Sequence, residues 1–128
     1  MLIGMLALYT SASFLHFAHN AEFLGEYPNL PDSITRFDVY ASWFGLVAIG
    51  LSGLTLYLTR WRRAGLALLG VYAALGLDGL LHYTRAPVGE HTAMMNFTIW
   101  FEVGAAVALM LVTWLAFSDS SSKGEAET

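Results

Sequence analysis

The sequence predicts an all-α integral membrane protein, a bundle of four transmembrane helices, from its composition, its hydropathy and its charge pattern. Of the 128 residues, 56% are hydrophobic and 12% are charged, whereas an ordinary soluble domain carries roughly a quarter charged residues. The mean hydropathy is +0.55. The charges leave four long apolar segments, each about the length that an α-helix needs to cross a ~30 Å hydrocarbon core. None of them alternates as a barrel strand does.

The first two predicted helices cover about 1–21 and 38–59. The first segment contains no Asp, Glu, Lys or Arg. We expect a helix there rather than a signal peptide, because a basic N-terminal region and a small-x-small cleavage pattern are missing. Pro28 and Pro31 lie in the following loop, where neither residue will continue a helix. The second helix ends before a turn that carries Arg60, Arg62 and Arg63, hereafter the arginine loop.

The third and fourth predicted helices cover about 64–84 and 92–117, which completes one transmembrane domain over 1–117. Asp78 alone interrupts the third helix, and Glu102 alone interrupts the fourth. A carboxylate inside a transmembrane segment costs roughly 2.5–3.5 kcal/mol on insertion scales, so each should have a partner. Residues 118–128 are small, polar and charged, and we expect a disordered C-terminal tail there.

The arginine loop also predicts the orientation of the chain. Short loops rich in Lys and Arg are retained in the cytoplasm, so both termini are expected there, with the bacterial or archaeal inner membrane as the location.

The net charge of −4 gives no basic surface for nucleic acid. The cysteine count of 0 excludes disulfides, thiolate zinc sites and iron–sulfur clusters.

This topology brings all four histidines to the external side. His16 and His19 lie near the outer end of the first helix, His82 lies at the outer end of the third, and His91 precedes the fourth. Asp78 lies four residues before His82, roughly 6 Å along a helix and on the same face. Neutral imidazole and carboxylate together suit zinc, copper, iron or nickel. The sequence therefore predicts an external transition-metal site made of His16, His19, Asp78, His82 and His91.

Further polar residues extend this predicted site. Met94 and Met95 follow His91, and thioether sulfur favours copper over zinc or iron. Glu102 lies roughly 15 Å into the fourth helix. One interpretation is a proton carrier or deep ligand, and the other is a protonated, hydrogen-bonded side chain. We expect a second shell or proton path from Glu22, Asp38, Asn96 and Glu102.

The Asp78-x-x-x-His82…His91 arrangement is similar to a copper site in a membrane subunit of particulate methane and ammonia monooxygenases. The similarity covers three residues of a much shorter chain, and the spacing between His82 and His91 differs. It implies copper chemistry of the same kind rather than kinship.

Short matches also suggest an internal repeat. Residues 14–17 (Phe-Leu-His-Phe) parallel 80–83 (Leu-Leu-His-Tyr), and residues 40–44 (Tyr-Ala-Ser-Trp-Phe) parallel 97–101 (Phe-Thr-Ile-Trp-Phe). The chain would then consist of two pseudo-repeated hairpins related by an axis along the membrane normal. His16 and His82 would face one central site.

The predicted metal site would serve in metal handling or in metal-dependent redox chemistry at the membrane. Three other interpretations stay open. The first is a b-type haem protein with His16 or His19 and His82 or His91 as axial ligands. The second is an accessory subunit of a larger membrane oxidoreductase complex, and the third is a polar network without a ligand. The expected partners are the lipid bilayer and either further copies of the chain or a larger complex. No motif assigns an enzyme class.

Overall fold

The computed structural model describes the backbone of residues 1–125 and the side chains of residues 1–119. In this part of the chain every regular element is helical, which confirms the all-α class for the described residues. The α-helices are α1 (Leu2–Glu22), α2 (Arg36–Tyr57), α3 (Arg62–Leu75), α4 (His82–Arg85) and α5 (Ala93–Glu125), and short 3-10 turns cover Leu24–Glu26, Asp78–Leu81 and Val88–Glu90.

Four helical spans of the described chain are long and apolar enough to cross a membrane. The first to fourth spans are Leu2–Glu22, Arg36–Tyr57, Arg62–Arg85 and Ala93–Asp119. They contain 21 to 27 residues and have mean hydropathies of 1.2 to 1.9. At a rise of about 1.5 Å per residue, even the shortest span matches the ~30 Å hydrocarbon core. The four predicted helices are therefore found close to their expected positions.

The spans pack as a ring in which α1 contacts α2, α2 contacts α3, α3 contacts α5 and α5 contacts α1. The interior nearer the arginine loop is an apolar core that includes Leu6, Leu69 and Leu109. A layer of two buried tyrosines borders this core. The Tyr9 and Tyr72 ring centroids are 4.7 Å apart, and the Tyr9 hydroxyl donates to the Tyr72 carbonyl at 3.2 Å. This layer separates the apolar half of the bundle from a polar half, hereafter the histidine end.

Glycine allows the second and third spans to touch. A Cβ atom on Gly65 would collide with the backbone of Tyr57, and it would lie 2.7 Å from the Gly53 carbonyl oxygen. Small residues let membrane helices approach in this way. Apart from that contact α2 is lightly packed, since only 11% of its apolar stretch is buried inside the bundle.

The third span is interrupted at the level of its carboxylate. α3 ends at Leu75, the 3-10 turn begins at Asp78, and α4 resumes at His82. Gly76 and Gly79 lower the helix propensity of this stretch. Gly76 admits the Tyr9 ring, because an added Cβ atom would lie 2.5 Å from it, whereas a Cβ atom on Gly79 would be in ordinary contact with Glu102 Oε2 at 3.5 Å. The segment predicted as one helix over 64–84 is thus wound more tightly at Asp78.

The backbone of α5 continues past the predicted boundary at residue 117 and is helical through Glu125. The tail predicted to be disordered covers 118–128, of which residues 126–128 lie outside the described part of the chain. Disorder of the tail and the two-hairpin repeat both stay predictions.

Candidate functional site

The histidine end is organised around His16 of α1, which is buried. Its Nδ1 lies 3.3 Å from Thr98 Oγ1, and the Asn20 amide nitrogen donates to its Nε2 at 3.0 Å. Because an amide nitrogen only donates, Nε2 carries the lone pair and Nδ1 carries the proton. Thr98 accepts that proton while its own hydroxyl donates to the Met95 carbonyl at 3.0 Å. His16 is therefore held as a neutral imidazole in a fixed orientation.

His82 of α4 presents the same nitrogen to the same amide. Asn20 Nδ2 lies 3.4 Å from His82 Nε2, and the His16 and His82 ring centroids are 5.4 Å apart. Tyr27, in the loop after α1, packs against His82 with ring centroids 4.9 Å apart. Two lone-pair nitrogens from the first and third spans thus converge on one amide group.

His91 extends the row of imidazoles, with its ring centroid 6.2 Å from that of His82. Its Nδ1 donates to the Pro87 carbonyl at 3.1 Å, while its buried Nε2 has no hydrogen-bond partner among the described residues. Asn96 holds the loop that carries His91. Its amide donates to the His91 carbonyl at 3.2 Å, and its own carbonyl accepts from the Tyr83 hydroxyl at 2.7 Å. Asn96 therefore positions His91.

His19 is turned away from this row. Its Nδ1 lies 2.8 Å from the Tyr27 hydroxyl, and its ring stacks on Phe23 at 4.7 Å. Burial raises the pKa of the Tyr27 phenol, so this phenol stays protonated beside His19. Three residues turn an α-helix by about 300°, which rotates His19 around α1 relative to His16. Tyr27 lies between His19 and the His16–His82 pair, because it bonds His19 and packs against His82.

Glu102 of α5 brings a carboxyl group to the same cluster. Its side chain is 0% exposed, and its Oε2 lies 3.7 Å from His16 Nε2. Within the described side chains, both carboxyl oxygens lack hydrogen-bond partners, as do Ser13 Oγ and Asn20 Oδ1. Buried polar atoms are nearly always partnered in native proteins. This concentration of unpartnered oxygens marks a candidate binding site.

A cavity of about 400 Å³ adjoins the His16–His82 pair. Asp78, which is exposed, lines this cavity together with both histidines and Asn20, so the predicted carboxylate opens onto the same cavity as the pair. The facing wall comes from the loop after α1 and from α2, where apolar side chains such as Leu30 predominate. The cavity gives a small ligand a route to the pair.

Two carboxylates that the sequence predicts in a second shell have other partners. Glu22 pairs with Arg36 at 3.0 Å and accepts from the Tyr40 hydroxyl at 3.0 Å. Asp38 accepts from the Thr35 backbone N–H at 2.9 Å and closes a capping box at the start of α2. Both fix the start of α2, and Asp38 also lines the cavity.

The described side chains contain no group of three or more His, Asp or Glu residues arranged as a ready-made metal site. The predicted thioether donors also have other surroundings. Met95 Sδ accepts from the Thr92 backbone N–H at 3.4 Å, and Met94 is 54% exposed. The donors that do converge are therefore imidazole nitrogens and side-chain oxygens.

Three residues that the sequence analysis did not assign to the site complete it. Asn20 joins the two imidazoles, Thr98 orients His16, and Tyr27 packs between His19 and His82. Asn20 follows His16 by four residues and so shares its helix face, which is a signal present in the sequence. Tyr27 reaches the site because the loop after α1 folds back, and Thr98 reaches it because α5 packs against α1. Neither contact can be read from the spacing of residues along one helix.

Comparison with known proteins finds no family model, no curated protein and no solved structure that matches the chain.

Proposed function

We propose that the chain is a multi-pass membrane protein that binds a transition-metal ion through Nε2 of His16 and Nε2 of His82. One observation carries this proposal. The lone pairs of these imidazoles, which come from different spans, point at the single amide group of Asn20. Neutral imidazole nitrogens that converge from two helices are typical donors for zinc, copper, iron and nickel.

Glu102 supports a cation in particular. Its Oε2 and the His16 Nε2 lie 3.7 Å apart. The His16 nitrogen is an electron-pair donor in the tautomer that its hydrogen bonds assign, and an ionised Glu102 would be a second one. Two facing donors repel each other unless a proton or a metal cation bridges them. A buried carboxylate is also costly unless it is paired with positive charge. A cation at this position would pair with the carboxylate and with both imidazoles.

Asn20 would exchange its role when the ion binds. Its N–H group satisfies the two imidazoles in the structure described, and half a turn of the terminal amide would present Oδ1 to a cation instead. Asp78, along the cavity wall, and His91, through its unpartnered Nε2, are further donors. Nitrogen and oxygen donors suit zinc and iron as well as copper, and copper remains the metal that the sequence favours.

The proposed role is metal handling or metal-dependent redox chemistry in the inner membrane of a bacterial or archaeal cell. The arginine loop supports cytoplasmic termini, with the metal site towards the outside. The lightly packed surface of α2 supports contacts with lipid, with further copies of the chain or with a larger complex. The cavity beside the site would admit the ion or a small substrate.

Metal analysis of the purified protein tests this proposal. The chain is purified in a mild detergent, equilibrated separately with copper, zinc and iron salts, desalted and analysed by inductively coupled plasma mass spectrometry. We expect stoichiometric metal in the native sequence and its loss in His16→Gln and His82→Gln. Glu102→Gln should weaken metal affinity by about 10–100-fold, the usual effect of removing a group that supports a metal ligand.

His19→Gln is the matched control, because His19 lies on the same helix and bonds Tyr27 instead of Asn20. It should keep its metal while circular dichroism shows that all variants remain helical. The proposal is wrong if the native sequence retains no stoichiometric metal, or if all three histidine variants retain it equally.

The same preparation tests the alternatives to a metal ion. A Soret band in its absorption spectrum would replace the metal proposal with b-type haem ligation. Fixed partner proteins that co-purify in mild detergent would support an accessory subunit, whereas a clean homo-oligomer would contradict that role.

A further inference from the structure

A surface groove large enough for a small ligand lies between α3 and α5, at the end of the bundle opposite the histidine end. This groove has a volume of about 480 Å³. Ala67 and Gly70 line it from α3, and Val107, Trp114 and Phe117 line it from α5. A Cβ atom on Gly70 would have no heavy atom within 4 Å, so the missing side chain leaves the groove deep at this point.

The groove ends at the arginine loop. Arg63, Ala67 and Gly70 are spaced at i, i+4 and i+7, and they therefore share one face of α3. The Arg63 guanidinium lies 5.2 Å from the centroid of the Phe117 ring, which is part of the groove. An apolar channel thus meets a positively charged turn.

The other two arginines of this loop are stacked on aromatic rings. Arg60 lies 5.3 Å from the Trp61 ring centroid, and Arg62 lies 4.8 Å from that of Tyr57. Arg62 also donates to the Tyr57 hydroxyl at 3.2 Å. A guanidinium group has five N–H donors, so donors remain on both side chains for bidentate binding of a phosphate.

We propose that the groove and the arginine loop together bind one anionic phospholipid, with an acyl chain between α3 and α5 and the phosphate at the arginine loop. The dimensions fit this ligand. Val107 to Phe117 covers about 15 Å along α5, which is half of a ~30 Å hydrocarbon core and hence the depth of one leaflet. The exposed side chains of Trp61 and Trp114 are of the type found at the headgroup level.

The charge of the loop selects a lipid over the other occupants of an apolar groove. A transmembrane helix from a second copy would fill the groove without using the arginines, and free phosphate would leave the apolar walls uncovered. An anionic phospholipid engages both parts. Attraction of anionic lipid by a basic residue near the membrane surface corresponds to about a fivefold change in affinity for each residue.

Native mass spectrometry of delipidated protein tests the proposal. The protein is titrated with dioleoyl phosphatidylglycerol and, separately, with dioleoyl phosphatidylcholine, which carries the same acyl chains on a zwitterionic headgroup of zero net charge. We expect one phosphatidylglycerol to bind at least about fivefold more tightly than phosphatidylcholine. Inorganic phosphate at the same concentration should not displace it, because phosphate lacks the acyl chain.

Two variants separate the two parts of the site. Gly70→Leu fills the groove and should reduce binding of both lipids. Arg63→Gln should lower binding of phosphatidylglycerol by about fivefold and binding of phosphatidylcholine by less, because the choline cation offsets the phosphate charge. Gly45→Leu, at an α2 position where an added Cβ also has no heavy atom within 4 Å, and Arg36→Gln, at the histidine end, are matched controls that should bind as the native sequence does.

Equal binding of the two lipids, or equal effects of the test and control variants, would overturn the proposal. A native protein that is dimeric and becomes monomeric in Gly70→Leu would also overturn it, because the groove would then be an interface between copies. None of these results depends on metal binding at the other end of the bundle.

Discussion

At the scale of single residues, the Asn20 amide determines how the two central imidazoles are held. It donates to His16 at 3.0 Å and approaches His82 at 3.4 Å, while its own carbonyl oxygen has no partner among the described side chains. One short side chain therefore assigns the tautomer of His16 and faces the lone pairs of both imidazoles. Its replacement should affect the metal-free and metal-bound proteins differently.

Substitution of Asn20 tests this role. Asn20→Leu leaves the buried His16 nitrogen without a donor, at roughly 1–3 kcal/mol, and the half-buried His82 nitrogen at a smaller cost. The free energy of unfolding of the metal-free protein should fall by about 2 kcal/mol or more. Asn20→Asp adds a carboxylate beside both imidazoles and should tighten metal binding by about tenfold. Denaturant unfolding in detergent and metal titration measure the two effects.

The two predictions for Asn20 can be contradicted independently of each other. Unchanged stability of the metal-free Asn20→Leu variant would contradict the conclusion that the Asn20 amide holds the two imidazoles. Weaker metal binding by Asn20→Asp would contradict a cation between the imidazoles.

The candidate residues differ in how far the sequence predicts their surroundings. Depth along each helix follows from counting residues, so the sequence assigns His16, Asp78, His82 and Glu102 to one region. In the structure Glu102 lies 3.7 Å from His16, and Asp78 lines the same cavity as His16 and His82. Rotation about the helix axis depends on the neighbouring helices. For that reason His19, three residues from His16, bonds Tyr27 rather than the central amide.

At the scale of elements, glycines on both helices allow the contact between α2 and α3, and the tightest approach is at Gly65. Gly65 lies against the backbone of Tyr57 and Gly53, and backbone atoms cannot yield as the end of a flexible side chain can. The two helices follow each other directly in the chain, separated only by a short turn. Their close approach therefore sets the geometry of the whole hairpin.

Substitution of Gly65 tests this contact. Gly65→Ala should force α2 and α3 apart and lower the free energy of unfolding by about 1–3 kcal/mol or more, as overpacking does. Gly104→Ala is the matched control, because an added Cβ there has no heavy atom within 4 Å. It should leave stability unchanged or raise it by up to about 1 kcal/mol, through higher helix propensity. Thermal unfolding in detergent compares them, and equal stabilities would contradict the contact.

The interruption of the third span shows a limit of prediction at the element scale. Hydropathy predicts one helix over 64–84, and the span Arg62–Arg85 is indeed apolar throughout. The 3-10 turn at Asp78 arises where Gly79 approaches Glu102 and His16. Glycine is common in membrane helices, so its presence alone does not distinguish a continuous helix from an interrupted one.

At the scale of the whole molecule, the bundle combines two unlike halves. Leucine and alanine fill the half near the arginine loop, and histidine, asparagine and carboxyl groups fill the other. The Tyr9–Tyr72 layer lies between them. In a membrane such an arrangement would give a ligand access from the histidine end and close the opposite end with apolar packing.

Cysteine labelling tests the proposed orientation of the molecule. The sequence has 0 cysteines, so each single-cysteine variant has one reactive site. Gly25→Cys and Gly89→Cys add side chains where no heavy atom lies within 4 Å of the Cβ position, both at the histidine end. In intact cells a membrane-impermeant maleimide should label these two variants, and it should label Ala64→Cys, beside the arginine loop, only after permeabilisation. The opposite pattern would contradict the orientation.

The sequence by itself determined the number of spans, their approximate limits and the level at which polar side chains collect. These properties depend on local composition and on the fixed rise of a helix, so they are the same whatever the neighbours are. Only the tertiary structure decided that Asn20 joins His16 and His82, that His19 turns to Tyr27, and that a groove opens between α3 and α5. Such contacts depend on the rotation of each helix about its axis. Because many of the exposed side chains are as apolar as the core, hydrophobicity does not mark which face of a helix turns inward.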